Sequence, residues 1–145
     1  MAAVKKTVTM KADLDSLWHT ITDYENYPKF IDNLESSKII ERKGNVVTVE
    51  YEVNLMKKIS YILKHIEKPQ KSMSWTMQES SFLKGNTGSW TLKATKEGVS
   101  VDYEVDGKMP MLVPKAVVNT LVASGLPTFF ENIENQAKKS KKKKQ

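Results

Sequence analysis

The chain has 145 residues, with 23 basic and 17 acidic side chains, no cysteine and a formal charge of +6. That length suits one ordinary domain with a single sizeable core, and the lack of cysteine excludes a disulfide framework, a thiolate metal site and a cysteine nucleophile. The charge excess has an address: six lysines lie in residues 138–145, KKSKKKKQ, and the rest of the chain balances 17 basic against 17 acidic side chains.

The first residues, MAAVKKTVTMKADL, contain no apolar run of signal-peptide length, and no stretch approaches the roughly 20 apolar residues of a membrane span. The expectation is a cytoplasmic protein, with the lysine run as a means of peripheral contact. Arg42 is the only arginine, so the body lacks the forked donors that read nucleic-acid bases.

Val4, Val8 and Met10 alternate with Lys5, Thr7 and Thr9, which predicts a first strand. Asp13 offers an N-cap, and Leu14, Leu17, Trp18 and Ile21 follow at helical spacing. Pro28 can open a second short helix carrying Phe30, Ile31 and Leu34. From residue 36 the period changes to two. Ser37-Ile39-Glu41 alternates weakly, Lys43-Gly44-Asn45 turns, and Val47, Val49, Tyr51, Val53 and Leu55 form the clearest strand. Ile59, Tyr61, Leu63 and His65 share one face of the next strand, and Lys68-Pro69-Gln70-Lys71 turns the chain again. Met73, Trp75, Met77 and Glu79 then face the dry side, which makes Glu79 an inward carboxylate. Gly85-Asn86-Thr87-Gly88 reads as a hairpin turn. Trp90, Leu92 and Ala94, then Val99, Val101, Tyr103 and Val105, face inward on the last two strands. Short turns between them predict antiparallel neighbours with one dry face.

Residues 114–139 carry Val117, Val118, Leu121, Val122, Leu126, Phe129, Phe130 and Ile133 at three-and-four spacing, a long amphipathic helix. Gly125 and Pro127 predict a kink or break near 123–127. The fold class is α+β: a seven-stranded curved antiparallel sheet, two short helices and a long C-terminal helix. The domain spans residues 1–137, and 138–145 is a disordered polylysine tail, because like charges in series repel.

Three motifs carry a resemblance to a known family: Asp15-x-x-Trp18-x-x-Ile21-x-Asp23-Tyr24-x-x-Tyr27-Pro28-x-Phe30, the tyrosine-bearing strand at 46–56, and Phe82 with Gly88-x-Trp90-x-Leu92. Over residues 4–137 the sequence resembles the START-like helix-grip (SRPBCC) superfamily. Within it, the sequence is similar to the polyketide cyclase/dehydrase and lipid-transport group, which includes coenzyme Q-binding and ribosome-association toxin relatives. The resemblance implies a hydrophobic ligand, a small molecule or lipid, held in a cavity between sheet and long helix, in a group that binds metals or redox cofactors only rarely. No cofactor is assigned, and a monomer is expected.

The inward pattern supplies candidate cavity residues: Val49, Tyr51, Val53, Tyr61, Leu63, Trp75, Met77, Trp90, Leu92, Tyr103, Val118, Leu121 and Leu126. Met109, Met111 and Leu112, apolar residues beside Pro110 and Pro114 where loops are usually polar, are candidates for a gate. Trp18, Tyr24, Tyr27 and Phe30 are expected to close one corner of the sheet. His19 and His65 have no carboxylate or serine at triad-like spacing, so no catalytic residue is assigned. The reading is a carrier or sensor. Its alternatives are a polyketide aromatase/cyclase and a ribosome- or RNA-associated protein. For the lysine tail, anionic membrane and RNA are the two candidate partners.

Overall fold

Alternation with short turns becomes a meander of six strands, joined at one edge by a seventh. The computed structural model describes residues 2–31, 34–55, 57–80, 85–108 and 126–144. Its elements are β1 (Ala2–Met10), α1 (Leu14–Thr22), a 3₁₀ segment (Tyr24–Lys29), β2 (Leu34–Lys43), β3 (Val46–Leu55), β4 (Lys57–Lys68), β5 (Ser72–Ser80), β6 (Gly85–Thr95), β7 (Gly98–Lys108) and α2 (Leu126–Lys144). The sheet order is β1-β7-β6-β5-β4-β3-β2. Each neighbouring pair is antiparallel. β1 and β2 therefore occupy opposite edges, and α1 with the 3₁₀ segment carries the chain from one edge to the other.

Asp13 caps α1 as its sequence position suggests, accepting from the Ser16 backbone N–H at 2.9 Å, a contact typically worth about 1 kcal/mol. Leu17 and Ile21 on this helix are buried, as is Met10 at the end of β1. α1 packs against α2, where Phe130, Ile133 and Ala137 are buried at helical spacing. The Lys11 N–H donates to Glu134 Oε2 at 2.6 Å and ties the start of α1 to α2. Pro127 lies in the described part of α2, Leu126–Lys144. The expected kink and residues 114–125, Val118 and Leu121 among them, lie outside the described residues, as do Phe82 and the gate candidates Met109, Met111 and Leu112. The backbone of α2 continues as helix to Lys144, into the segment whose charge alone suggests disorder.

The sheet corrects several sequence expectations. Leu34 opens β2 instead of riding a helix begun at Pro28, which lies inside the 3₁₀ segment. Gly85–Gly88 is not a turn but the start of β6, with Gly88 paired to Trp75 on one side and Val105 on the other. A Cβ at Gly88 would overlap the Trp75 ring and the Glu104 carbonyl. The glycine is there so that an indole can lie across the strand. Glu79 is exposed rather than inward, because a bulge between Ile62 and Leu63 shifts the β4–β5 register and turns the end of β5 over. Ala94, beside the β6–β7 turn, is likewise exposed.

Candidate functional site

The site is a cavity of about 190 Å³ between the concave face of the sheet and α2. Each element contributes by its alternation. β3 supplies Tyr51 and Val53, β4 supplies Tyr61, Leu63 and His65, and β5 supplies Met73 and Trp75. β6 adds Asn86 and Trp90, β7 adds Tyr103 and Val105, and α2 adds Phe129 and Ile133. Tyr27, Ile31 and Leu34 close the end near the 3₁₀ segment. Among these described residues none carries a full charge at neutral pH.

Seven of the sequence candidates meet here: Tyr51, Val53, Tyr61, Leu63, Trp75, Trp90 and Tyr103. Val49 and Leu92 are buried in the packed core instead, and Met77 and Leu126 pack against that core half-buried. Several residues that the candidate set omitted follow from signals already in the chain, whereas Asn86, read as part of a turn, and Leu34, read as part of a helix, do not. Met73 and Val105 continue the same alternation, and Phe129 and Ile133 continue the helical stripe. Tyr27 was expected only to close the corner. It does so through edge contacts with Tyr24 at 5.7 Å and Phe30 at 5.8 Å, and it also stacks at 6.1 Å on Tyr51 inside the cavity. Trp18 packs half-buried against the core.

A polar cluster begins in this wall, at Tyr51, His65 and Met73, and continues behind it. His65 is 2% exposed, and desolvation holds its pKa down at about 3, so the ring is neutral. Its Nδ1 lies 3.1 Å from Met73 Sδ and its Nε2 lies 2.8 Å from the Tyr51 hydroxyl. A thioether accepts but cannot donate. Nδ1 therefore bears the ring proton, and Tyr51 donates its own to Nε2. The Tyr24 ring lies 4.5 Å from the imidazole and its hydroxyl donates to Glu67 Oε2 at 2.6 Å. Glu67 Oε1 pairs with Arg42 at 3.6 Å. Glu67, not Glu79, is the inward carboxylate. It continues the odd-numbered face of β4, two residues past His65 and one before Lys68, where the strand ends.

Burial raises the pKa of all five tyrosines, desolvation being the largest cause in each, with Tyr61 pushed up to about 12. The phenols stay protonated and act as donors. Tyr27 donates to the Ile21 carbonyl and Tyr51 to His65, whereas the Tyr61 and Tyr103 hydroxyls have no hydrogen-bond partner among the described residues. Trp75 and Trp90 flank Tyr103 at 6.0 and 4.8 Å, and Phe129 lies 5.9 Å from Trp90, so the cavity has flat aromatic walls. No group of three or more metal-ligating side chains occurs among the described residues. Nor is any described helix long and apolar enough to cross a membrane.

The fold recurs in solved structures at low identity. A Thermus thermophilus protein superposes with a TM-score of 0.82 at 14% identity, covering 94% of this chain and 97% of that one. A START superfamily protein from Mycobacterium smegmatis gives 0.81 at 15% identity, with 94% and 97% covered. The Zhui aromatase/cyclase from a Streptomyces species gives 0.78 at 14%, with 94% and 93% covered. No curated protein matches in sequence. The family model described as polyketide cyclase/dehydrase and lipid transport matches residues 10–134. With that match spanning most of the chain, on a helix-grip sheet shared with START structures, the protein belongs to the polyketide cyclase/dehydrase and lipid transport family.

Proposed function

We propose that the protein binds a small hydrophobic molecule in the cavity between sheet and α2 and carries or senses it without turnover. The supporting observation is the cavity itself: about 190 Å³ left open among aromatic and aliphatic side chains. Unfilled volume costs stability, so a space kept between large rings is accounted for by an occupant. Met109, Met111 and Leu112 would serve as its gate. The tail would hold the protein, as a monomer in the cytoplasm, at an anionic membrane from which a lipid-like ligand can enter.

The test is titration with indane, a neutral bicyclic hydrocarbon, followed through the indole N–H signals of Trp75 and Trp90 by NMR. Saturable shifts are expected in the native chain, and Val53→Trp, which fills the cavity, should abolish them while the fold persists. Glu79→Gln, on the outer face, should leave affinity within about threefold. Absence of saturable shifts in the native chain would refute the reading.

An aromatase/cyclase activity is the second reading, favoured by the Tyr51–His65 hydrogen bond at the cavity wall. A neutral imidazole beside a phenol can relay a proton to a bound carbonyl compound. Loss of cyclisation of a poly-β-ketone substrate in His65→Gln, with ligand affinity retained, would establish it over the carrier.

A further inference from the structure

The polar groups of the cavity differ in what they have left to offer. Tyr27 and Tyr51 have spent their protons on the Ile21 carbonyl and on His65. Asn86 Oδ1 accepts from Trp75 Nε1 at 2.9 Å, which leaves its amide hydrogens as donors. The hydroxyls of Tyr61 and Tyr103 line the cavity with no hydrogen-bond partner among the described residues. Three donors thus line a chamber with no carboxylate and no cation among its described residues. Glu67 and Arg42 lie behind the wall and compensate each other.

We propose that the ligand is a small, uncharged ring compound carrying an acceptor oxygen, such as a ketone or ester carbonyl, held by the hydroxyls of Tyr61 and Tyr103. This deepens the hydrophobic-ligand reading and rests on it. The size follows from the volume: about 190 Å³ exceeds only modestly the roughly 150 Å³ apolar cavity that takes up benzene. A carboxylate would enter without a cation to meet it among the described lining residues. An ammonium could rest on the ring faces by cation–π contact, but it would leave the hydroxyl and amide protons without an acceptor and find no carboxylate among the described lining residues. A neutral carbonyl accepts two hydrogen bonds and satisfies donors that are otherwise left bare.

Three ligands of one shape separate these chemistries: indane, 1-indanone and indane-1-carboxylate, each titrated by NMR on the Trp75 and Trp90 indole signals. Indanone should bind tighter than indane by roughly 2- to 12-fold for each hydroxyl engaged, and the carboxylate should bind more weakly than indane. Tyr61→Phe/Tyr103→Phe should bring indanone down to the affinity of indane while indane is unchanged. If the double variant does not fold, the single variants carry the same comparison. Equal binding of indane and indanone by the native chain, or tightest binding of the carboxylate, would overturn the proposal and leave the hydrophobic cavity standing. Failure of all three to shift the indole signals would overturn both.

Discussion

Raising the pH should unfold this protein through its tyrosines. The chain has five, and burial raises the native pKa of every one above the ordinary value of 10.0. As pH rises past 10, the unfolded chain releases these protons first. Stability from the buried phenols is therefore intact below pH 10 and is lost above it, until the native phenols ionise in turn, Tyr61 first at about 12. At pH 11 each phenol has cost about 1.4 kcal/mol, so five remove about 7 kcal/mol. Domains of this size hold roughly 5–15 kcal/mol in total. That loss unfolds a domain at the lower end of this range near pH 11 and one of greater stability at higher pH. Absorbance at 295 nm reports phenolate and far-UV circular dichroism reports the sheet, and the two should change together in one steep transition. Tyrosines that titrate with a midpoint near 10 while the dichroism stays native would refute the buried hydroxyl cluster.

Other perturbations test separate parts of the structure. Tyr24→Phe keeps the ring but removes the donor at 2.6 Å from buried Glu67. A bond to a charged acceptor is worth roughly 1.5–3 kcal/mol, so urea unfolding should show a loss of about 2 kcal/mol at unchanged m-value, and a loss under about 0.5 would deny the network. Gly88→Ala should displace the Trp75 ring, costing about 1–3 kcal/mol and changing the near-UV dichroism, since the added methyl has no room. A native-like spectrum and stability would show that the ring is not held there. For the tail, six lysines at about 1 kcal/mol each set an upper bound near 6 kcal/mol on attraction to an anionic bilayer. Co-sedimentation with anionic vesicles should be lost at higher salt and in a chain ending at Ala137. Equal binding by both chains would rule out the membrane role, and preference of the full chain for RNA would transfer it to nucleic acid.

Local periodicity was enough to read most of the fold. The switch from period 3.6 to period 2 near residue 36, the capping Asp13 and the alternation through Val53 and Tyr103 are properties of neighbouring residues, and burial acts on them directly. For the same reason Tyr51, Tyr61, Trp75, Trp90 and Tyr103 could be assigned to the dry face before any coordinates. Alternation states which face a side chain takes. It does not state where along the strand the covering helix leaves space, and so Val49 and Leu92 were expected in a cavity when they belong to solid core.

What tertiary structure decided depends on partners far away in sequence. A bulge opposite Leu63 reversed Glu79, and nothing within β5 signals it. Gly88 looked like a turn residue because its reason, the Trp75 ring, lies on another strand. Glu67 could become a buried carboxylate only because Tyr24, 43 residues earlier, and Arg42 supply a donor and a counter-charge. A buried charge is tolerable only with such partners in place, and the chain brings them together only when the sheet closes over its helices.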